Sequence, residues 1–108
     1  MKNIALKIAA TIFAALMLGP AQSALAGENI IIDGSTTVGP IAKAFAEFYK
    51  ESHPDVNITI SESGSGNGVK SLINKACNIA NLSRFMKDSE FKSCVANGVL
   101  PVAHVVAF

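Results

Sequence analysis

Short β-branched runs alternate with runs of helical spacing three times along this chain, and each switch of period falls on a turn of serine, threonine and glycine. Asn29-Ile30-Ile31-Ile32 is short and apolar, which suits a buried parallel strand. Asp33-Gly34-Ser35-Thr36-Thr37 follows as a turn ending in helix-capping residue types. Val38, Ile41, Ala42, Phe45, Phe48 and Tyr49 then recur at helical spacing, with Lys43, Glu47, Lys50 and Glu51 mostly on the other face. Pro40 lies in the first turn, where a missing N–H costs little, and Ser52-His53-Pro54-Asp55 ends the helix.

The cycle then repeats. Val56–Ile60 reads as a second strand, and Ser61-Glu62-Ser63-Gly64-Ser65-Gly66-Asn67-Gly68 as the turn into a second helix over about Gly68–Lys75. Asn78–Leu82 is a third strand and Ser83–Lys87 a loop. Asp88-Ser89-Glu90 caps a third helix carrying Phe91, Cys94 and Val95, which Asn97-Gly98 stops. Val102–Phe108, entered through Pro101, reads as a fourth apolar strand. Such alternation predicts an α/β fold, a parallel sheet with flanking helices and right-handed crossovers.

In that architecture all strand-to-helix turns share one edge, and ligands bind beyond the carboxyl ends of the strands. Ser35-Thr36-Thr37, Ser63-Gly64-Ser65 and Ser83-Arg84 should therefore converge although they are far apart in sequence. Free N–H groups at a helix start, the helix dipole and serine hydroxyls favour an anion. Glycines at 64, 66 and 68 would let the backbone take positive φ and approach it closely. Arg84 adds a fork that matches two oxygens at once, with pairing to Asp88 or Glu90 as its competing role. A micromolar oxyanion site needs about 8 kcal/mol, and charge-assisted hydrogen bonds contribute roughly 1.5–3 kcal/mol each.

The start of the chain reads differently. Met1–Lys7 is basic, Ile8–Leu18 is apolar apart from Thr11, Gly19-Pro20 breaks the run, and Ala24-Leu25-Ala26 supplies the small residues of a cleavage site. This is the three-part pattern of a secretory signal, expected to be cleaved after Ala26, and the apolar run is too short for a membrane span. Gly27–Phe108 is then the exported domain, and an apolar strand at its end would be hard for so small a core to cover. Because Lys2 and Lys7 belong to the leader, the formal charge changes from +1 to −1, which excludes a basic nucleic-acid surface. Export also permits a disulfide between Cys77 and Cys94, worth about 3 kcal/mol. The alternative is two small buried hydrophobes. The cysteines and the distant His53 and His104 lack the paired spacing of a zinc site, so no metal is expected.

Catalytic motifs fail on spacing. Gly68-Val69-Lys70-Ser71 separates the lysine from the glycine by one residue, unlike a nucleotide P-loop, and Gly64-x-Gly66-x-Gly68 misses the dinucleotide pattern. No serine stands in a G-x-S-x-G elbow, and neither His53 nor His104 is placed to serve Ser35 or Ser65 as a base. Binding, not catalysis, is the expectation.

Three ordered motifs, Ile32–Pro40 (IDGSTTVGP), Ser63–Lys70 (SGSGNGVK) and Asn78–Arg84 (NIANLSR), behind a leader, resemble the periplasmic phosphate-binding proteins of ABC phosphate transporters. The resemblance implies a partial lobe of a periplasmic-binding-protein-like (class II) fold, here the N-terminal part. It also implies capture of inorganic phosphate without a cofactor, and an ABC permease in the inner membrane as partner. A monomer is expected. Thr36, Thr37, Ser65, Gly66, Ser83 and Arg84 match the family's ligand-contacting positions, and Ser35 joins them from the first turn. The chain departs from the pattern in being much shorter, in carrying Ser83 where some members have a proton-accepting aspartate, and in Asn78, where aspartate is common. Asp33 is the nearby carboxylate that could substitute. Sulfate, molybdate or a phosphorylated solute are the alternative ligands. A signalling or adhesion module on the same scaffold, or an unfolded fragment, are the alternative roles.

Overall fold

The computed structural model describes residues 27–107. The expected leader, residues 1–26, lies outside the described residues, as does Phe108. Three parallel strands, β1 (Asn29–Gly34), β2 (Asn57–Ser61) and β3 (Ile79–Asn81), form a sheet in the order β2-β1-β3. Helices α1 (Gly39–Ser52) and α2 (Ser65–Ile73) connect them in turn, and α3 (Asp88–Ala96) follows β3. The anticipated parallel α/β architecture is present.

Register explains why β1 is the central strand. Ile32 pairs with Ile60 on one side and Ile79 on the other, so three isoleucines stand in one rank on one face. Ile32 is buried. Phe45 and Tyr49 of α1 border an open apolar groove with Ile30, Ile58 and Ile79 of that face. Phe48 is 74% exposed, so the aromatic side of α1 is covered only in part.

The opposite face carries Asp33, Ser61 and Ala80 in register, and α2 packs against β1 and β3. A Cβ on Gly68 would lie 2.6 Å from Gly34 Cα and 2.8 Å from the Asp33 carbonyl oxygen, so glycine is required for this close approach. Val69 beside it is fully buried.

Several expectations are corrected here. The second helix begins at Ser65, not near Gly68, and takes in the second half of the glycine-serine stretch. Of Gly64, Gly66 and Gly68 only Gly64 adopts positive φ, at 99°. The early start follows from tertiary fastening: Gly64 N–H donates to Gly34 O at 2.7 Å, and Gly68 N–H closes the first turn on Gly64 O at 2.9 Å. Ser35, not the threonines, caps the turn into α1, its hydroxyl oxygen accepting the N–H groups of Thr37 and Val38.

The fourth strand is absent among the described residues: 102–107 are irregular and exposed. β-Branched composition favours extended backbone, but a strand exists through its ladder, and this segment pairs with none of the three strands. Cys77 and Cys94 are buried free thiols, so the disulfide that export would permit is not formed. Burial pushes both thiols up, with the charge of Asp33 adding to the effect at Cys77 and that of Glu90 at Cys94.

Candidate oxyanion site

Three turns lie at the carboxyl edge of the sheet, after β1, β2 and β3. The first is built inward. Ser35 is 3% exposed, its N–H donates to Asn81 O at 2.8 Å, and its carbonyl accepts Gly39 N–H at 3.0 Å. Ser35 thus ties the β1 turn to the end of β3 and shapes the start of α1, while Thr36 and Thr37 stand exposed at the rim.

The second and third turns meet directly. Ser83 N–H donates to Ser65 Oγ at 3.1 Å, and the two hydroxyl oxygens are 3.2 Å apart. Whichever hydroxyl donates within the pair, one O–H proton remains to point outward. Two of the matched positions are therefore joined into a donor unit at the first turn of α2, where the positive end of the helix dipole adds to the attraction for an anion.

Arg84 does not join that unit. Its guanidinium is forked on Glu90, Nη1 to Oε2 at 2.9 Å and Nη2 to Oε1 at 2.7 Å, and Nη1 also donates to Phe85 O at 3.0 Å. The bidentate geometry that suits two anion oxygens is satisfied within the chain, by the competing partner named from sequence. This pairing raises the Arg84 pKa. The Arg84 hydrogen bonds, followed by the Lys87 N–H that Glu90 accepts at 2.9 Å, lower Glu90 to about 2. Arg84 and Gly66 line a common open cleft of about 350 Å³ between α2 and α3, with Lys70, Lys87 and Glu90.

Asp33 is also committed. Ser63 Oγ donates to its Oδ1 at 2.6 Å and Ser71 Oγ to its Oδ2 at 2.7 Å. These hydroxyls, Ser63 first and Ser71 next, hold the carboxyl below the usual carboxylate range. Sequence reasoning considered Asp33 only as a proton acceptor for the guest and did not anticipate Ser71 at all. A carboxylate closing a run of three isoleucines was the available signal, since a charge at the end of a buried strand needs donors. Among the described residues no cluster of three His, Cys, Asp or Glu is placed to hold a metal ion.

Donor-bearing turns gathered at the carboxyl edge of a parallel sheet occupy the place where open α/β sheets bind ligands. The chain belongs to the PBP superfamily, whose domain spans residues 19–107. Protein SphX of Synechococcus elongatus is 38% identical over 92 residues, covering 84% of this chain and 27% of that protein. The crystal structure of a possible phosphate binding protein from Planctomyces limnophilus superposes with a TM-score of 0.64 at 36% identity, over 67% of this chain and 25% of that one. A phosphate ABC transporter, phosphate-binding protein from Streptococcus pneumoniae gives a TM-score of 0.60 at 33% identity, over 62% of this chain and 26% of that one. The chain thus spans about a quarter of the length of these relatives. The two structural relatives carry phosphate binding in their names, as the class that the three motifs resemble does.

Proposed function

We propose that this chain captures inorganic phosphate as the N-terminal part of an exported solute-binding protein that delivers it to an ABC permease of the inner membrane. The observation carrying this reading is the Ser65–Ser83 contact, which unites two remote turns into a hydroxyl and amide donor unit at a helix start. The names of the structural relatives support phosphate as the guest. The apolar leader pattern supports periplasmic export. Thr36, Thr37, Ser65, Gly66, Ser83 and Arg84 are the proposed contacts, Arg84 after exchanging Glu90 for the anion, and Ser35 shapes the first turn from beneath them.

One lobe with part of the donor set should bind phosphate at about millimolar strength, roughly 4 kcal/mol. Calorimetric titration of Gly27–Phe108 with sodium phosphate tests this. Saturable heat in the millimolar range supports the reading, micromolar affinity would make the described turns sufficient by themselves, and no saturable heat would sink it. A second reading, a less selective tetrahedral-oxyanion site that also takes sulfate, is favoured by the hydroxyl at Ser83 and the full commitment of Asp33.

A further inference from the structure

We infer that Asp33 is the positioning residue of the anion-binding turn, acting from behind it through Ser63. This inference rests on the phosphate reading above for its functional meaning, and on three bonds for its geometry.

Asp33 occupies the next-to-last position of the central strand, where register holds it on both sides by Ser61 and Ala80. Its two oxygens reach different elements. Oδ1 takes the hydroxyl of Ser63 in the β2–α2 turn, and Oδ2 takes the hydroxyl of Ser71 in the second turn of α2. The turn is thus gripped on one side of Gly64 by Ser63, and at Gly64 itself by its N–H on Gly34 O. Ser65, the next residue, is the one that meets Ser83. Asn67 Nδ2 folds back on Ser63 O at 2.8 Å and closes the same turn from its far end.

Charge explains the arrangement. A carboxylate facing an oxyanion repels it unless the anion has a proton to donate, whereas one whose oxygens both accept hydroxyl protons behind the turn spends its charge on hydrogen bonds. Hydroxyl-to-carboxylate bonds are short and directional, so they can hold Gly64 at φ 99° and fix where Ser65 Oγ points. Gly68 lets α2 approach closely enough for the second bond to form. Asp33 therefore acts on the guest only through the geometry of the turn.

The test uses Gly27–Phe108 with Asp33→Asn, which keeps shape and removes charge, and Ser63→Ala, which removes the link. Phosphate affinity, thermal midpoint and backbone amide shifts of residues 64–66 are read for both single variants and the double. The expected result is about a fivefold loss of affinity in each single variant, no further loss in the double, and the same displacement of the residue 64–66 amides without phosphate. Ser63→Thr, which keeps the hydroxyl, should restore affinity to within twofold. Additive losses, or unmoved amides in Asp33→Asn, would overturn the positioning role while leaving phosphate binding intact. If the native chain takes up no phosphate, the phosphate reading fails, and the amide shifts still decide whether Asp33 fixes the turn.

Discussion

Ser65 and Ser83 are 18 residues apart in sequence and share two contacts, a Ser83 N–H bond to Ser65 Oγ at 3.1 Å and a hydroxyl pair at 3.2 Å. The two positions are unequal within this unit. Ser65→Ala removes the acceptor of the Ser83 N–H and one partner of the hydroxyl pair, so it should weaken phosphate binding about tenfold and cost about 1 kcal/mol of stability. Ser83→Ala removes only a hydroxyl and leaves the backbone bond, so a loss of about threefold is expected, with little change in stability. Calorimetry and thermal melts on both variants check the order, and an equal effect would contradict the geometry.

Glu90 competes with any anion for Arg84. Removing its charge with Glu90→Gln should strengthen phosphate binding about threefold at low ionic strength, the gain fading as salt screens the released guanidinium. The same change should lower stability only slightly, since the pair is partly exposed to solvent. The acid limb follows by linkage. The folded carboxyl titrates at about 2, below its ordinary 4.5. Its stabilisation is therefore present above the ordinary value and is lost as pH falls from there toward about 2. Melts between pH 6 and pH 2 should show the Glu90→Gln deficit shrinking as the native chain loses its own pair.

The difference between what the residues foretold and what the fold contains has a physical pattern. The expected strand ends at Ile32, Ile60 and Leu82 fall within two residues of the observed Gly34, Ser61 and Asn81, because short β-branched runs suit a pleated, half-buried surface. The start of α2 was hidden, because glycine and serine are weak helix formers and the turn is held by contacts at separations of 30 and 38 residues, which local patterning does not encode. Val102–Ala107 has strand composition without a neighbouring strand, so local preference alone gave the wrong assignment. At the site, convergence of the turns was legible from topology. The partner chosen by Arg84 was legible only as one of two outcomes, since Glu90 and an anion offer the same pair of oxygens.

Two glycines of α2 should respond oppositely to alanine. At Gly68 the added methyl would meet Gly34 Cα at 2.6 Å and Asp33 O at 2.8 Å, both backbone atoms that cannot rotate away. Gly68→Ala should destabilise the fold by about 1–3 kcal/mol and pull α2 off the Ser71–Asp33 bond. At Gly66 nothing lies within 4 Å of the added carbon, and the residue is already helical. Gly66→Ala should stabilise by about 0.5 kcal/mol through the unfolded chain. Melting temperatures moving apart in these directions would confirm the packing of α2 on β1.

Anion selectivity is the sharpest consequence of how the carboxylates are used. Hydrogen phosphate carries a proton that a carboxylate acceptor can take, and sulfate near neutral pH has none, so a free carboxylate in contact with the guest favours the former and repels the latter. Around these turns Asp33 is bound by Ser63 and Ser71, Glu90 by Arg84, and Glu62 by Lys43 at 3.2 Å. Phosphate and sulfate should therefore bind the native chain within about threefold of each other. Ser83→Asp places a carboxylate at the donor unit, next to Ser65 Oγ, and should reduce sulfate affinity at least tenfold while phosphate falls far less. Competition calorimetry at pH 7 decides the matter: a native preference for phosphate above tenfold would mean that one of these three carboxylates gives up its present partner when the anion arrives.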